Sequence, residues 1–257
     1  MSVPRIYHPQ TLDEGITTKL GDDYLVYLRD VLRLGEGSEL VLFDGVGHEY
    51  RAVIRGFESG AIELEIVTKK DITLPETRIT LAQSLPKGGK MEFIIQKATE
   101  LGSSQIVPFI SSRSIPRLAG DRATAKVARW KKVAVEASRQ CGRADVPEVS
   151  EIMSFDEMLR SADGDALRII LWEGEEERGM REILTDERYK NSTEHWVVIG
   201  PEGGFSWEEV ERARQRGFLS ASLGRLILRT ETAPLAVLSI LQYEKGFFGT
   251  SGEDTRR

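Results

Sequence analysis

The 257-residue chain has one cysteine, Cys141, and three histidines, His8, His48 and His195, far apart in sequence. A lone cysteine excludes an intrachain disulfide and any cysteine-based zinc site. No histidine lies in an H-E-x-x-H pattern, so no zinc site and no metal are expected. Cys141 is expected to be a structural, buried thiol. Long hydrophobic runs are also missing. The most apolar stretches, 169–172 and 196–199, are strand-length, against the ~20 residues of a membrane-spanning helix. The first nine residues hold two prolines and no continuous apolar segment, unlike a secretory signal. A cytoplasmic protein is the expectation.

Aromatic residues make up 7% of the chain, beside 40% hydrophobic and 30% charged residues, the composition of an ordinary globular protein with one large or two modest domains. Two nucleotide signatures are absent. Neither Gly35-Glu36-Gly37 nor Gly45-Val46-Gly47 completes a dinucleotide fingerprint, and Gly88-Gly89-Lys90-Met91 lacks the spacing and the Ser or Thr of a P-loop. The net charge of -6 conceals one basic stretch: residues 113–143 hold nine basic and two acidic side chains. Within it, a helix over 122–140 is predicted to bury Val127, Trp130, Ala134 and Ala137, leaving Lys126, Arg129, Lys132 and Arg139 mostly on another face. With Arg113, Arg117 and Arg143 flanking it, that face reads either as solvated surface or as an RNA contact.

The first 70 residues are β-rich. Ala61–Val67 alternates with period two, Ser38–Phe43 is a compact strand, and glycine turns separate such runs at hairpin spacing, which predicts a small antiparallel barrel. Asp71–Glu76 is the expected linker. Beyond it strands alternate with helices: a strand over 78–82, a helix from Lys90 burying Met91, Ile94, Ile95, Ala98 and Leu101, and a strand over 105–109. This is the pattern of an α/β domain on a mainly parallel sheet.

Two motifs carry chemistry. His195–Ile199 runs into Gly200-Pro201-Glu202-Gly203-Gly204, after which Ser206 and Glu209 form a capping box and Phe205 and Val210 a hydrophobic staple. Glycines between strand and helix let a cofactor approach backbone groups, although a tight structural turn is the simpler alternative. The second motif, Leu223-Gly224-Arg225-Leu226-Ile227-Leu228-Arg229-Thr230-Glu231, leads to Thr232 as an expected cap, then Ala233, Pro234 and a helix apolar on most sides. Such a helix suits a core or a dimer interface. An ion pair of Arg229 with Glu231 or a neighbour is the plain structural reading of those charges.

Together the two motifs resemble the bacterial 16S ribosomal RNA uridine-N3 methyltransferase family, part of the trefoil-knotted SPOUT methyltransferases; Arg5, Lys90–Gly102, Ile106-Val107-Pro108 and Trp130–Val149 agree with it. The resemblance implies a PUA-like RNA-binding β-barrel over residues 1–72 and a knotted α/β methyltransferase domain over 73–250. It further implies S-adenosylmethionine as cofactor and a homodimer acting on 16S rRNA of the small subunit. Carried over by position, the cofactor would meet Leu171, Glu173, Ile199, Gly200, Pro201, Glu202, Gly203, Gly204, Leu223, Gly224, Ile227, Leu228, Arg229, Glu231, Thr232 and Ala233, mostly through backbone groups. Glu202, Arg229 and Glu231 are the catalytic candidates, with each of the two acids open to reading as a proton acceptor or as a structural hydrogen-bonding group. Arg5, Arg33, Arg113 and Arg143 are the candidate phosphate contacts.

Uracil N3 is a poor nucleophile while protonated and lies on the base-pairing edge. Methylation there needs an unpaired or extruded base, a lost or shared proton and an in-line approach. Two rivals remain at this stage: a non-catalytic RNA-binding or assembly protein, and a dinucleotide-dependent α/β enzyme that lacks its phosphate fingerprint.

Overall fold

A computed structural model describes residues 3–246 except Ser59, Arg117, Ala119 and Asp163; Arg117 of the basic stretch and the tail 250–257 therefore lie outside the described residues. The chain divides into two compact units. One runs to Leu74 and takes in Ser138–Val146; the other comprises Pro75–Ala137 and the chain from Pro147. The short segment 138–146 is not part of the linear division at residue 72, because no local pattern marks a return of the chain.

In the first unit, β1 (Arg5–Tyr7), β2 (Thr17–Gly21), α1 (Asp22–Leu25), a π-helical turn over Val26–Val31, β3 (Glu39–Phe43), β4 (His48–Glu58) and β5 (Ala61–Asp71) follow in order. The strands form one sheet, β1-β3-β4-β5-β2. Alternate residues Leu40, Leu42, Ala52, Ile54, Ile62, Leu64 and Ile66 bury one face into a single core with Ile6, Leu20 and Leu28, as the period-two pattern requires. The sheet curls, so that His8, just past β1, lies 3.5 Å from Thr18 of β2. It is not wholly antiparallel. β1 pairs with β3 in parallel, since the chain travels through β2 and the helical turns before returning beside it.

The second unit begins with β6 (Arg78–Ser84), α2 (Lys90–Glu100), β7 (Gln105–Ile110) and α3 (Asp121–Cys141), whose last residues, from Ser138, count with the first unit. Then come β8 (Glu148–Val149), β9 (Met153–Ser154), α4 (Phe155–Ser161), β10 (Leu167–Leu171), α5 (Met180–Leu184), β11 (Glu194–Ile199), α6 (Trp207–Gln215), β12 (Leu219–Ala221) and α7 (Ala233–Glu244). The sheet order is β12-β10-β11-β6-β7-β8, with β9 also on β7, and its pairings are parallel. β6 and β11 are buried along almost their whole length, as strands covered on both faces must be.

α3 buries the predicted stripe of Val127, Trp130, Ala134 and Ala137. Lys126, Arg129 and Lys132 are exposed; Arg129 pairs with Glu92 at 2.7 Å. Cys141 continues the stripe by spacing yet is exposed, because α3 ends there and Gly142 turns the chain away through a left-handed φ of 84°. α6 has its capping box: Glu209 N donates to the Ser206 hydroxyl at 3.3 Å, and Ser206 N to Glu209 at 3.0 Å, worth about 1 kcal/mol. Glu209 is buried and also accepts from Ser112 N at 2.8 Å and from its hydroxyl at 2.9 Å. The cap therefore ties α6 to the chain after β7. Phe205 and Val210 are both buried in the same core cluster.

Candidate functional site

The carboxyl ends of β10, β11 and β12 lie side by side, and the loops leaving them wall a cavity of about 410 Å³. Crevices beyond the carboxyl ends of parallel strands are where such sheets bind ligands. Leu171, Trp172 and Glu173 come from the first loop. Ile199, Gly200, Pro201, Glu202, Gly204 and Phe205 come from the second, and the chain from Ala221 to Thr230, with Ala233, forms the third wall. Lys90, at the start of α2, completes the lining. Of the residues carried over for the cofactor, Gly203, Glu231 and Thr232 do not line the cavity, and the rest do.

Each departure has a local cause. Gly203 points elsewhere: a Cβ there would meet the Arg113 side chain at an ordinary 3.4 Å, and Arg113 Nη1 donates to the Gly203 carbonyl at 2.9 Å. Gly204 is the constrained position, with φ +64° and a Cβ that would stand 2.8 Å from Glu173 Oε1. At Gly200 a Cβ would press on the Phe205 ring at 3.2 Å. Thr232 occupies the N-cap of α7 but makes no side-chain cap. Pro234 in the first turn has no N–H to donate to such a cap.

Glu231 lies behind the wall, where its Oε2 takes a 2.9 Å bond from Lys90 Nζ; Glu202 Oε1 is 3.2 Å from the same ammonium. Lys90 thereby joins the two motifs. Its hydrogen bond holds the Glu231 carboxyl below the usual range, and the Glu231 hydrogen bond keeps the ammonium above its own. Glu202 also accepts from Lys87 N at 3.1 Å. Arg229 makes no ion pair with Glu231, although its charge also favours that carboxylate; it is exposed on the lining and has no carboxylate within ion-pair distance among the described residues. Thr230 is buried, donating to the Gly200 carbonyl at 2.7 Å and accepting from Gln83 Nε2 at 3.1 Å.

Sequence reasoning passed over Lys90 and Thr230 as site residues. The glycine pair before Lys90 at a helix start was the available signal for the first. For the second, a hydroxyl between two charges gave none.

Of the four arginines expected at RNA phosphates, Arg5, Arg33 and Arg143 lie in the first unit and Arg113 in the second. Arg5 Nη1 bonds Glu49 at 2.6 Å, and its Nη2 donates to the Arg143 carbonyl at 3.0 Å. Arg143 grips Asp145 through Nε at 3.0 Å and Nη2 at 2.5 Å. Both serve the interior of the first unit. Arg33 is exposed at φ 55°, and Arg113 sits at the glycine loop of the second. His195, on β11, is buried with neither ring nitrogen hydrogen-bonded; burial, aided by the Lys245 charge, lowers its pKa to about 4, so it is a neutral core residue. Among the described residues no cluster of His, Cys, Asp or Glu could hold a metal, and no helix is long and apolar enough to cross a membrane.

A curled β-rich unit and a parallel sheet with a cavity at its strand ends match, in that chain order, the two domains of RNA methyltransferases. The family model for the RNA methyltransferase domain matches residues 73–242, and that for the RNA methyltransferase PUA domain matches residues 22–67. Ribosomal RNA small subunit methyltransferase E of Bacillus subtilis is 32% identical over 241 residues, covering 91% of this chain and 93% of that one. The Aquifex aeolicus protein of the same name is 33% identical over 201 residues, 77% of this chain and 83% of its own. A crystal structure of ribosomal RNA small subunit methyltransferase E from Neisseria gonorrhoeae, bound to S-adenosyl methionine, matches with a TM-score of 0.84 at 34% identity over 94% of this chain and 98% of that one. The chain belongs to the ribosomal RNA small subunit methyltransferase E family.

Proposed function

We propose that the protein transfers the methyl group of S-adenosylmethionine to N3 of a uridine in 16S ribosomal RNA. The observation that carries this reading is the cavity at the ends of β10, β11 and β12, whose lining joins glycine turns at Gly200, Gly204 and Gly224 to apolar and charged side chains. The residues present fit the donor. At Gly200 and Gly204 a Cβ would collide with Phe205 and Glu173, so these turns bring bare backbone to the cavity, and Leu171, Ile199, Leu223 and Leu228 offer apolar contact. When bound, the donor supplies an electrophilic methyl on a good leaving group, so no covalent nucleophile is required of the chain.

The chain contributes position and charge. Glu231, held as a carboxylate by Lys90, is a weak proton acceptor, so proton loss from N3 depends on stabilising the charge that develops on the uracil carbonyls. Arg229, exposed on the lining, is placed to do this. Glu202 and Glu231 anchor Lys90 and so hold the two loops in register.

The same reading includes a trefoil knot in the second unit. Its support is the path of the chain, which leaves β12 at the sheet edge and returns to pack α7 on α2, where Gln242 Nε2 donates to the Leu101 carbonyl at 2.9 Å. A homodimer is supported by the apolar groups left exposed on these helices, Phe93, Ile240 and Tyr243. The first unit is read as a closed PUA-like barrel that holds RNA, with Arg33 and Arg113 as the phosphate contacts among the four arginines. Ribosomal RNA as substrate implies the cytoplasm.

Mass spectrometry of ribosomal RNA from a strain lacking the protein tests this reading. One 16S uridine should lose a single methyl group and regain it from the purified protein with S-adenosylmethionine; unchanged RNA would overturn the assignment.

A further inference from the structure

Trp207 opens α6 with 53% of its surface exposed, an unusual position for an indole with a fixed ring. Its ring centroid lies 5.5 Å from that of Trp172, tilted by 51°. The Arg214 guanidinium carbon stands 5.3 Å from the Trp207 centroid and 5.8 Å from the Trp172 centroid. Arg214 is itself held by Glu175 at 3.1 Å, Glu211 at 2.8 Å and the Ser220 hydroxyl at 2.9 Å, and that hydroxyl also bonds Glu175. The cation locks both indoles, and Trp172 is at once a wall of the cavity. A preorganised aromatic surface therefore begins at the cavity wall and ends in solvent.

We infer that Trp207 is a stacking platform for an unpaired nucleobase of the RNA strand that carries the target uridine. This rests on the proposed function. A base that must leave its helix to be methylated deprives its neighbour of a stacking partner, and an aromatic ring replaces that partner whatever the base, because every base has a π face. An indole already fixed in place gives up little entropy in doing so. The occupant is a nucleobase rather than an apolar peptide because one indole, continuous with the cavity, offers an area the size of a single ring.

The test compares Trp207→Ala and Trp207→Phe with the wild type. Methyl transfer is measured to small-subunit RNA from the strain lacking the protein, and fluorescence anisotropy is recorded with a labelled single-stranded oligouridylate. Trp207→Ala should raise the KM for RNA and weaken oligouridylate binding by about fivefold or more, while the KM for S-adenosylmethionine and kcat stay near wild type. Trp207→Phe should restore most of the loss. Unchanged RNA affinity in Trp207→Ala would overturn the inference. So would an equal rise of both KM values with a lowered melting temperature, since Trp207 would then only support the fold. If the wild type transfers no methyl group, the proposed function fails, and the anisotropy arm still decides the role of Trp207.

Discussion

The Thr230 hydroxyl donates to the Gly200 carbonyl over 2.7 Å, a direct hydrogen bond between the two glycine-bearing loops that Lys90 also bridges through Glu202 and Glu231. Gln83 supplies the donor on the far side of that hydroxyl, reaching it from the carboxyl end of β6 at 3.1 Å. Replacing Thr230 with the isosteric Val takes this donor from the Gly200 carbonyl and leaves Gln83 Nε2 only its bond to the Ser84 carbonyl, at a cost of about 1–3 kcal/mol. A lower Tm with weakened S-adenosylmethionine binding is expected of Thr230→Val, measured by calorimetry.

Lys90 sets the charge state behind the same wall. Its hydrogen bond lowers the Glu231 pKa in the folded protein. The stabilisation this pair gives is therefore complete above the ordinary carboxyl pKa of about 4.5 and is lost as pH falls through the lower folded value. Lys90→Met removes the hydrogen bond, so the acid limb of S-adenosylmethionine affinity should move to higher pH. A titration of affinity against pH in both proteins checks the direction; an unmoved limb would free Glu231 of this role.

His195 gives a pH effect of different origin. Buried and neutral, with a folded pKa of about 4 against 6.5 unfolded, it favours the folded state fully above pH 6.5. That advantage declines as pH falls towards 4, because the unfolded chain takes up the proton first. The loss is on the order of 3 kcal/mol. In His195→Leu the fall in stability between pH 6.5 and 4, followed by denaturant melts, should be shallower than in the wild type.

The glycine turn separates two neighbours that look alike in sequence. Gly204→Ala places a methyl group against Glu173 in a left-handed backbone, whereas at Gly203 the added carbon meets Arg113 at ordinary contact distance. Isothermal titration should show reduced S-adenosylmethionine affinity for Gly204→Ala and near wild-type affinity for Gly203→Ala.

Local patterns were legible where their cause is local. The Ser206 and Glu209 box, the buried stripe of α3 and the strand at 196–199 depend on residues within a few positions of one another, and each forms as read. The parallel strand pairing of Arg5–Tyr7 with β3 and the return of Ser138–Val146 to the first unit depend on distant chain. The arginines show the same limit. Arg5 reads as free positive charge until Glu49, 44 positions away, is found beside it, whereas Asp145, the partner of Arg143, is only two positions on. The Lys90 ammonium was hidden for the same reason: Glu231 is 141 positions away. Two loops of the cavity were visible as glycine motifs, but which glycine faces inward is a matter of φ and of neighbours such as Glu173 and Arg113, and spacing carries neither.

The most direct measurement is a crystal structure of the protein grown with S-adenosylmethionine. Density for the donor between the Gly200–Gly204 turn and the Leu223–Thr230 wall, its methyl group open to solvent near Arg229, is the predicted result. Donor density elsewhere on the molecule, with that cavity free of it, would contradict the account.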